Sequence, residues 1–162
     1  MDKFSLNLIV YILYLLKFIL VINFIALVII DWKKFKLPDS LQISALILIT
    51  IIFYISEIEW INHIVGLLAA LVAGLIIYYI SFLIYKKQVF GFGDVKLLSV
   101  IGYLCGIEYF LYVFIGGTLL ATVFALTGIM IGKYTWQSKI PLGSFLCITT
   151  IVFILLQSLM VR

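Results

Sequence analysis

Residues 61–85 decide the class of fold, because they read INHIVGLLAALVAGLIIYYISFLIY and contain no Asp, Glu, Lys or Arg. A membrane-spanning helix needs about 20 mostly apolar residues, so this run is long enough to cross a bilayer. The whole chain has the same character: 66% of its 162 residues are hydrophobic, 11% are charged, and the mean hydropathy is +1.33. A soluble domain of this size cannot bury so much apolar surface. The sequence therefore predicts an integral membrane protein.

Five further apolar runs accompany this one, at approximately 5–30, 40–56, 95–106, 108–132 and 140–160. Together the six runs predict an all-α, polytopic membrane helix bundle with about six transmembrane helices. The run 95–106 holds only about half of the residues that a span needs, so it is either a half-helix or extends back through the preceding glycines. No Pro-, Ser- or Gly-rich linker divides the chain, which predicts one integral-membrane domain over residues 1–162.

The polar breaks between the runs alternate in charge. Lysines occupy three breaks, at Lys33, Lys34 and Lys36, at Lys86, Lys87 and Lys96, and at Lys133 and Lys139. Acidic residues occupy two others, at Glu57 and Glu59 and at Glu108. By the positive-inside rule the lysine-rich breaks are cytoplasmic, and six spans then place both termini outside. The net charge of +4 is therefore expected to reflect topology and contact with anionic lipid, with no nucleic-acid partner.

Small residues recur at four-residue spacing in two of the runs. The first set is Gly66, Ala70 and Gly74, and the second is Gly117, Ala121 and Ala125. Helices in lipid associate through small residues that let their backbones approach closely. Both sets are therefore predicted to be packing faces inside the bundle.

The cysteines and the histidine indicate no metal site. Cys105 and Cys147 lie on separate runs without CxxC or Cys/His ligand spacing, so each is predicted to be a small buried hydrophobe. His63 is expected to lie in an external break next to Asn62, with an interfacial role. The sequence thus predicts neither a metal nor a cofactor.

Three aspartates, Asp31, Asp39 and Asp94, are not explained by topology, because all lie on the lysine-rich side. Asp31 directly follows the first apolar run and belongs to IDWKKFKLPDS (30–40), and Asp94 belongs to VFGFGDVK (89–96). Ionisable groups at the membrane boundary tend to face the bundle interior or a cavity, so they are candidate functional residues. The alternative is that Asp31 pairs with neighbouring lysines and Asp94 caps a helix.

A face-to-face arrangement of Asp31 and Asp94 would form a carboxylate dyad that shares one proton. The ionised member would act as a general base on water attacking a peptide carbonyl, and the protonated member would polarise that carbonyl and then protonate the leaving amine. Gly91 and Gly93, on either side of Phe92, would permit unusual backbone angles and leave room for a substrate strand beside Asp94.

Three stretches of the chain resemble the type IV prepilin peptidases, membrane aspartyl proteases of the GxGD class. IDWKKFKLPDS is similar to the family pattern of Asp, a basic stretch and Leu/Ile-Pro-Asp/Asn. GFGDVKLL is similar to the GxGDxK signature, and IPLGSFL (140–146) to a proline-containing motif before the last helix. The resemblance implies Asp31 and Asp94 as the catalytic pair. It also implies a set of supporting residues: Pro38, Asp39, Gly91, Phe92, Gly93 and Lys96. Of these, Asp39 is expected to cap the second helix, and Lys96 to hold the signature against headgroups or another loop.

The resemblance further implies an aspartic endopeptidase that removes the short basic leader of type IV prepilins or pseudopilins. Cleavage would take place at the cytoplasmic face of the cell membrane, within the lipid bilayer's boundary region. Larger members of the family carry an N-terminal domain with two zinc-binding CxxC pairs and also N-methylate their product. This sequence has no such cysteines, so a short, peptidase-only form without methyltransferase activity is expected.

Two non-enzymatic alternatives stay open at this point. In a small proton- or cation-coupled transporter subunit, the same aspartates would relay protons or bind a cation. Both candidates lie at one face, and midplane polarity is limited mainly to Lys17 and Asn23, which does not favour a continuous path. In a purely structural subunit of a secretion assembly, changes of the aspartates to asparagine would be tolerated.

Overall fold

A computed structural model describes residues 3–86, 90–135 and 138–160 of the chain. These residues form five helices without strands: α1 (Lys3–Lys34), α2 (Asp39–Ile55), α3 (Trp60–Tyr85), α4 (Phe92–Met130) and α5 (Leu142–Met160). By length and composition, α1, α3 and α4 can each cross a membrane, whereas α2 and α5 are shorter apolar helices. The prediction of an all-α membrane bundle is confirmed.

The helix α4 reverses direction at Gly106, whose φ of 72° and ψ of 171° lie outside the helical region. A straight helix would hold Asp94 and Phe124 about 45 Å apart. Both instead lie near the start of α5: the ring of Phe124 is 5.2 Å from that of Phe145, and a methyl group added to Gly143 would lie 3.2 Å from Oδ1 of Asp94. A positive φ favours glycine, which explains why the reversal needs no loop.

The predicted count of six membrane spans is not supported, because the described residues contain five helices. The expected boundary between the runs 95–106 and 108–132 falls at Gly106. The first segment of α4, residues 92–105, is however only about 21 Å long. The hydrocarbon core of a bilayer is about 30 Å thick, so this segment is too short to cross it alone. Glu108, expected in a polar break, instead lies exposed in α4 directly after the reversal.

The small-residue face of α3 packs against the first segment of α4, as predicted. A methyl group added to Gly66 would overlap the carbonyl oxygen of Gly102 and lie 2.7 Å from the carbonyl carbon of Gly106. One added to Gly74 would lie 3.2 Å from Cγ1 of Val95, and Ala70 between them is fully buried. The backbones of the two helices are therefore in direct contact along this face.

The second segment of α4, residues 107–130, packs on α5 through the other predicted set. A methyl group added to Gly117 would lie 2.8 Å from Cδ2 of Leu146, and Ala121 is buried. Cys105 and Cys147 are buried free thiols, as expected. The first segment of α4 is thus attached to α3, and the second to α5.

Three polar residues of the apolar runs, His63, Asn23 and Lys17, have different surroundings in the structure. His63 lies inside α3 rather than in a break, and its Nδ1 is 2.9 Å from the carbonyl oxygen of Tyr103. Nδ2 of Asn23 donates a hydrogen bond of 2.6 Å to Oγ of Ser44, which joins α1 to α2. Lys17 is half-buried on α1 and has no ionic partner within the described ranges.

We expect Gly66→Ala to destabilise the bundle, because the added methyl would meet backbone atoms that cannot rotate away. Overpacking of this kind costs about 1–3 kcal/mol. The melting temperature of the purified protein in detergent measures the effect. The matched control is Gly116→Ala, whose methyl would meet only Cγ2 of Thr149, at 3.5 Å. Equal melting temperatures for the two variants would contradict the proposed backbone contact.

Candidate active site

Asp31 lies in the last turn of α1 and is 4% exposed. Its Oδ2 accepts two hydrogen bonds from Ser144, one from the backbone N–H at 2.7 Å and one from the hydroxyl at 2.9 Å. Ser144 lies in the first turn of α5, where backbone N–H groups have no acceptor within the helix. The start of a helix also attracts negative charge, so α5 provides a site for the Asp31 carboxylate. In the described part of the chain the one ion pair joins Lys96 to Asp39, so Asp31 has no lysine partner there.

Asp94 is the third residue of α4 and is half-buried. Its Oδ2 accepts a hydrogen bond of 3.2 Å from the backbone N–H of Gly91, which precedes the helix. Asp94 is therefore not the N-cap residue of the alternative interpretation, because Gly91 occupies that position, but one of its carboxylate oxygens binds the N–H of the cap residue. The other oxygen, Oδ1, faces the start of α5.

The two carboxylates meet at Gly143. A methyl group added there would lie 3.1 Å from Oδ2 of Asp31 and 3.2 Å from Oδ1 of Asp94. Both oxygens therefore border the same small space, although the two aspartates come from different helices. Gly143 and Ser144 were not singled out from the sequence. The signal that could have found them is the stretch IPLGSFL, which contains both residues directly before an apolar run.

A cavity of about 270 Å³ opens beside the two carboxylates. Its lining comes from the ends of α1, α2 and α4 and from the segment between α1 and α2: Asp31, Phe35, Lys36, Leu37, Asp39, Gly91, Gly93 and Asp94. Water occupies about 30 Å³ per molecule in the liquid, so the cavity is large enough for several water molecules. A larger cavity of about 430 Å³ lies between the second segment of α4 and the residues Thr135, Ser138, Ile140 and Leu142, and its described lining contains no acidic residue.

The glycines of GFGD do not adopt the unusual backbone angles expected of them. Gly91 is extended, with φ −78° and ψ 143°, and Gly93 lies inside α4. Their contribution is space: a methyl group on Gly91 would lie 3.0 Å from Oδ2 of Asp94, and one on Gly93 would lie 3.4 Å from Cβ of Leu37. The ring of Phe92 between them is exposed and lies 5.4 Å from Nζ of Lys96.

The expected capping role of Asp39 is wrong. Pro38 occupies the cap position before α2, and Asp39 is the first helical residue, without a side-chain capping bond. Its Oδ2 instead accepts a hydrogen bond of 2.7 Å from Nζ of Lys96. Lys96 thus joins α4 to the first residue of α2, whereas the sequence predicts contact with headgroups or another loop. Both side chains are about half exposed, so the pair contributes about 1 kcal/mol or less.

Gln42 is a buried polar residue that was not predicted to belong to the site. It lies on α2, is 3% exposed, and its Nε2 donates a hydrogen bond of 3.3 Å to the carbonyl oxygen of Gly93. Its Oε1 is buried without a hydrogen-bond partner among the described residues. Gln42 thus connects α2 to the turn that carries Asp94. The described residues contain no group of three or more His, Cys, Asp and Glu side chains placed to hold a metal ion.

These features define a helical membrane protein with two carboxylates at a cavity near the ends of its helices. The chain belongs to the type IV leader peptidase family, whose model matches residues 18–126. The matched residues include both Asp31 and Asp94 and end before Gly143 and Ser144. Searches of the curated proteins and of the solved structures found no match. The family assignment does not support the alternative of a transporter subunit.

Proposed function

We propose that this protein is an aspartic endopeptidase that removes the short basic leader of type IV prepilins or pseudopilins. The observation that carries the proposal is the approach of the Asp31 and Asp94 carboxylates to a common point at Gly143, in a chain of the type IV leader peptidase family. Asp31 and Asp94 are proposed as the catalytic residues. No metal or cofactor takes part in the proposed reaction.

The reaction follows from a carboxylate pair that shares one proton. The ionised carboxylate takes a proton from a water molecule in the cavity as the water oxygen attacks the carbonyl carbon of the scissile peptide. The protonated carboxyl group donates a hydrogen bond to the carbonyl oxygen. It then transfers its proton to the leaving amine nitrogen as the C–N bond breaks.

The position of the cavity suits a substrate that is itself a membrane helix. Asp31 follows a long apolar run in α1, and the exposed residues Lys33 and Lys34 follow after Trp32. This pattern supports the proposal that the carboxylates lie at the membrane boundary, on the side where lysines accumulate. A prepilin presents its cleavage site at the same level, between a basic leader and an apolar helix.

Cleavage of co-expressed prepilins and pseudopilins tests the proposed function. The wild-type chain is expected to shorten at least one substrate of a panel, and mass spectrometry of the new N-terminus is expected to place the cut after a glycine and before the apolar helix. If the wild type, present at normal membrane levels, shortens no substrate of the panel, the proposal is contradicted.

The proposed orientation places the active site in the cytoplasm, and cysteine labelling measures it. Single cysteines at Lys34 and Lys86 should react with a membrane-impermeant maleimide only after the cells are opened. A cysteine at Glu57 should react in intact cells. Cys105 and Cys147 are buried, so background labelling should be low. The reverse pattern would place the carboxylates outside and would exclude cytoplasmic leader cleavage.

A further inference from the structure

We propose that Ser144 is a positioning residue that keeps Asp31 ionised, so that Asp31 is the general base and Asp94 the general acid. The inference rests on the proposed peptidase function and assigns a separate role to each carboxylate. It also gives a function to a residue outside the stretch that the family model matches.

The hydrogen bonds around Asp31 carry the assignment. Its Oδ2 accepts one hydrogen bond from the backbone N–H of Ser144, at 2.7 Å, and one from the Ser144 hydroxyl, at 2.9 Å. The hydroxyl also lies 3.3 Å from the carbonyl oxygen of Val28, but it has one hydrogen, and the shorter distance favours Asp31. Ser144 is fully buried, so water does not compete for these bonds. Donors to a carboxylate stabilise its charged form.

The surroundings of Asp94 differ from those of Asp31. Among the described residues, the Asp94 carboxylate accepts one hydrogen bond, of 3.2 Å, from the backbone N–H of Gly91 to Oδ2. Oδ1 faces Gly143 and the space that it shares with Oδ2 of Asp31. When one proton is distributed between the two groups, it resides on the carboxylate with fewer donors, which is Asp94.

The assignment gives each proton a defined path. Asp31 takes the proton of the attacking water as the oxygen–carbon bond forms, and Asp94 gives its proton to the leaving nitrogen as the carbon–nitrogen bond breaks. After one turnover Asp31 holds a proton and Asp94 is ionised. Transfer of that proton from Asp31 to Asp94, across the space beside Gly143, restores the starting state.

The test is the pH dependence of prepilin cleavage by purified wild type and by Ser144→Ala. The variant keeps the backbone N–H and loses the hydroxyl, so Asp31 needs a higher pH to ionise. We expect cleavage near neutral pH to fall about tenfold. The acid limb of the pH–rate profile should also move to higher pH, and the rate should recover as the pH is raised. Ser144→Thr retains a hydroxyl, so its cleavage rate and the pH of its acid limb should both match those of the wild type.

The matched control is Thr150→Val, which removes another fully buried hydroxyl of α5 that donates 2.7 Å to the carbonyl oxygen of Leu146. It should lower stability without moving the acid limb. The other titratable or charged side chains around Asp31 are Asp94 on α4, Cys147 on α5, and Lys36 and Asp39 in the cavity lining, and none is altered by these variants.

A merely structural role of Ser144 would lower the rate equally at every pH, and this result would overturn the inference. Ser144→Gly removes the same hydroxyl and provides a second test if Ser144→Ala is poorly folded. An unmoved acid limb in every folded variant would likewise overturn the assignment. Failure of the inference differs from failure of the proposed function. If the proposed function is wrong, the wild type itself cleaves no prepilin.

Discussion

Asp31→Asn and Asp94→Asn are each expected to reduce leader cleavage by about 10²–10⁴-fold, the contribution typical of general acid–base groups. Asparagine has nearly the same shape as aspartate, but it neither accepts a proton from water nor donates an acidic one. Insertion and packing should therefore be retained. Cleavage of a co-expressed prepilin, together with the amount of each variant in the membrane fraction, measures both quantities.

The matched control for these variants is Asp39→Asn. Asp39 lines the same cavity, but it is largely exposed and its partner is Lys96. An exposed pair contributes little, so cleavage should change by no more than a few fold. Cleavage that survives in either Asp31→Asn or Asp94→Asn would exclude the carboxylate pair. Equal loss in all three variants would show that acidic charge in the cavity, rather than the pair, is what matters.

Gly143→Ala is expected to reduce cleavage by about 100-fold, the scale of loss that follows a misplacement of about 1 Å at a reacting centre. The added methyl would lie 3.1 Å from Oδ2 of Asp31, 3.2 Å from Oδ1 of Asp94 and 2.8 Å from Cδ1 of Leu37. All three contacts are tight, so the side chains must move apart. Alanine is favourable in a helix, and α5 should still form.

Gly116→Ala again serves as the control, because its methyl would make one ordinary contact with Thr149. It should cleave prepilin at the wild-type rate. The decisive comparison is the rate per molecule of folded enzyme, with the melting temperature of each variant measured in the same detergent. Wild-type cleavage by Gly143→Ala would show that the space between the carboxylates is not part of the site.

The sequence predicts what depends on composition and local pattern. Apolar runs predict the helices, and the spacing of Gly66, Ala70 and Gly74 predicts a close packing face. Charged residues next to apolar runs identify Asp31 and Asp94, since ionisable groups at the membrane boundary stand out against hydrophobic neighbours.

The remaining features depend on contacts between distant parts of the chain. Ser144 binds Asp31 across 113 positions, and no local pattern reports such a contact. Asp39 was predicted to cap α2, but Pro38 already occupies that position and leaves Asp39 free to bind Lys96. For the short run 95–106 the sequence leaves two possibilities open, a half-helix or an extension back through the glycines, and the structure shows a helical segment that begins at Phe92 and ends at the reversal at Gly106.

The hydrogen bonds between Asp31 and Ser144 also bear on how the protein is made. Asp31 is synthesised at the end of the first helix, and its partner at the start of the last one. Domains form from the N-terminus as the ribosome proceeds, so the first helices enter the membrane before α5 exists. Until α5 arrives, Asp31 lacks the donors that hold it in place. The proposed site is therefore complete only after α5 has been made and has packed against the end of α1.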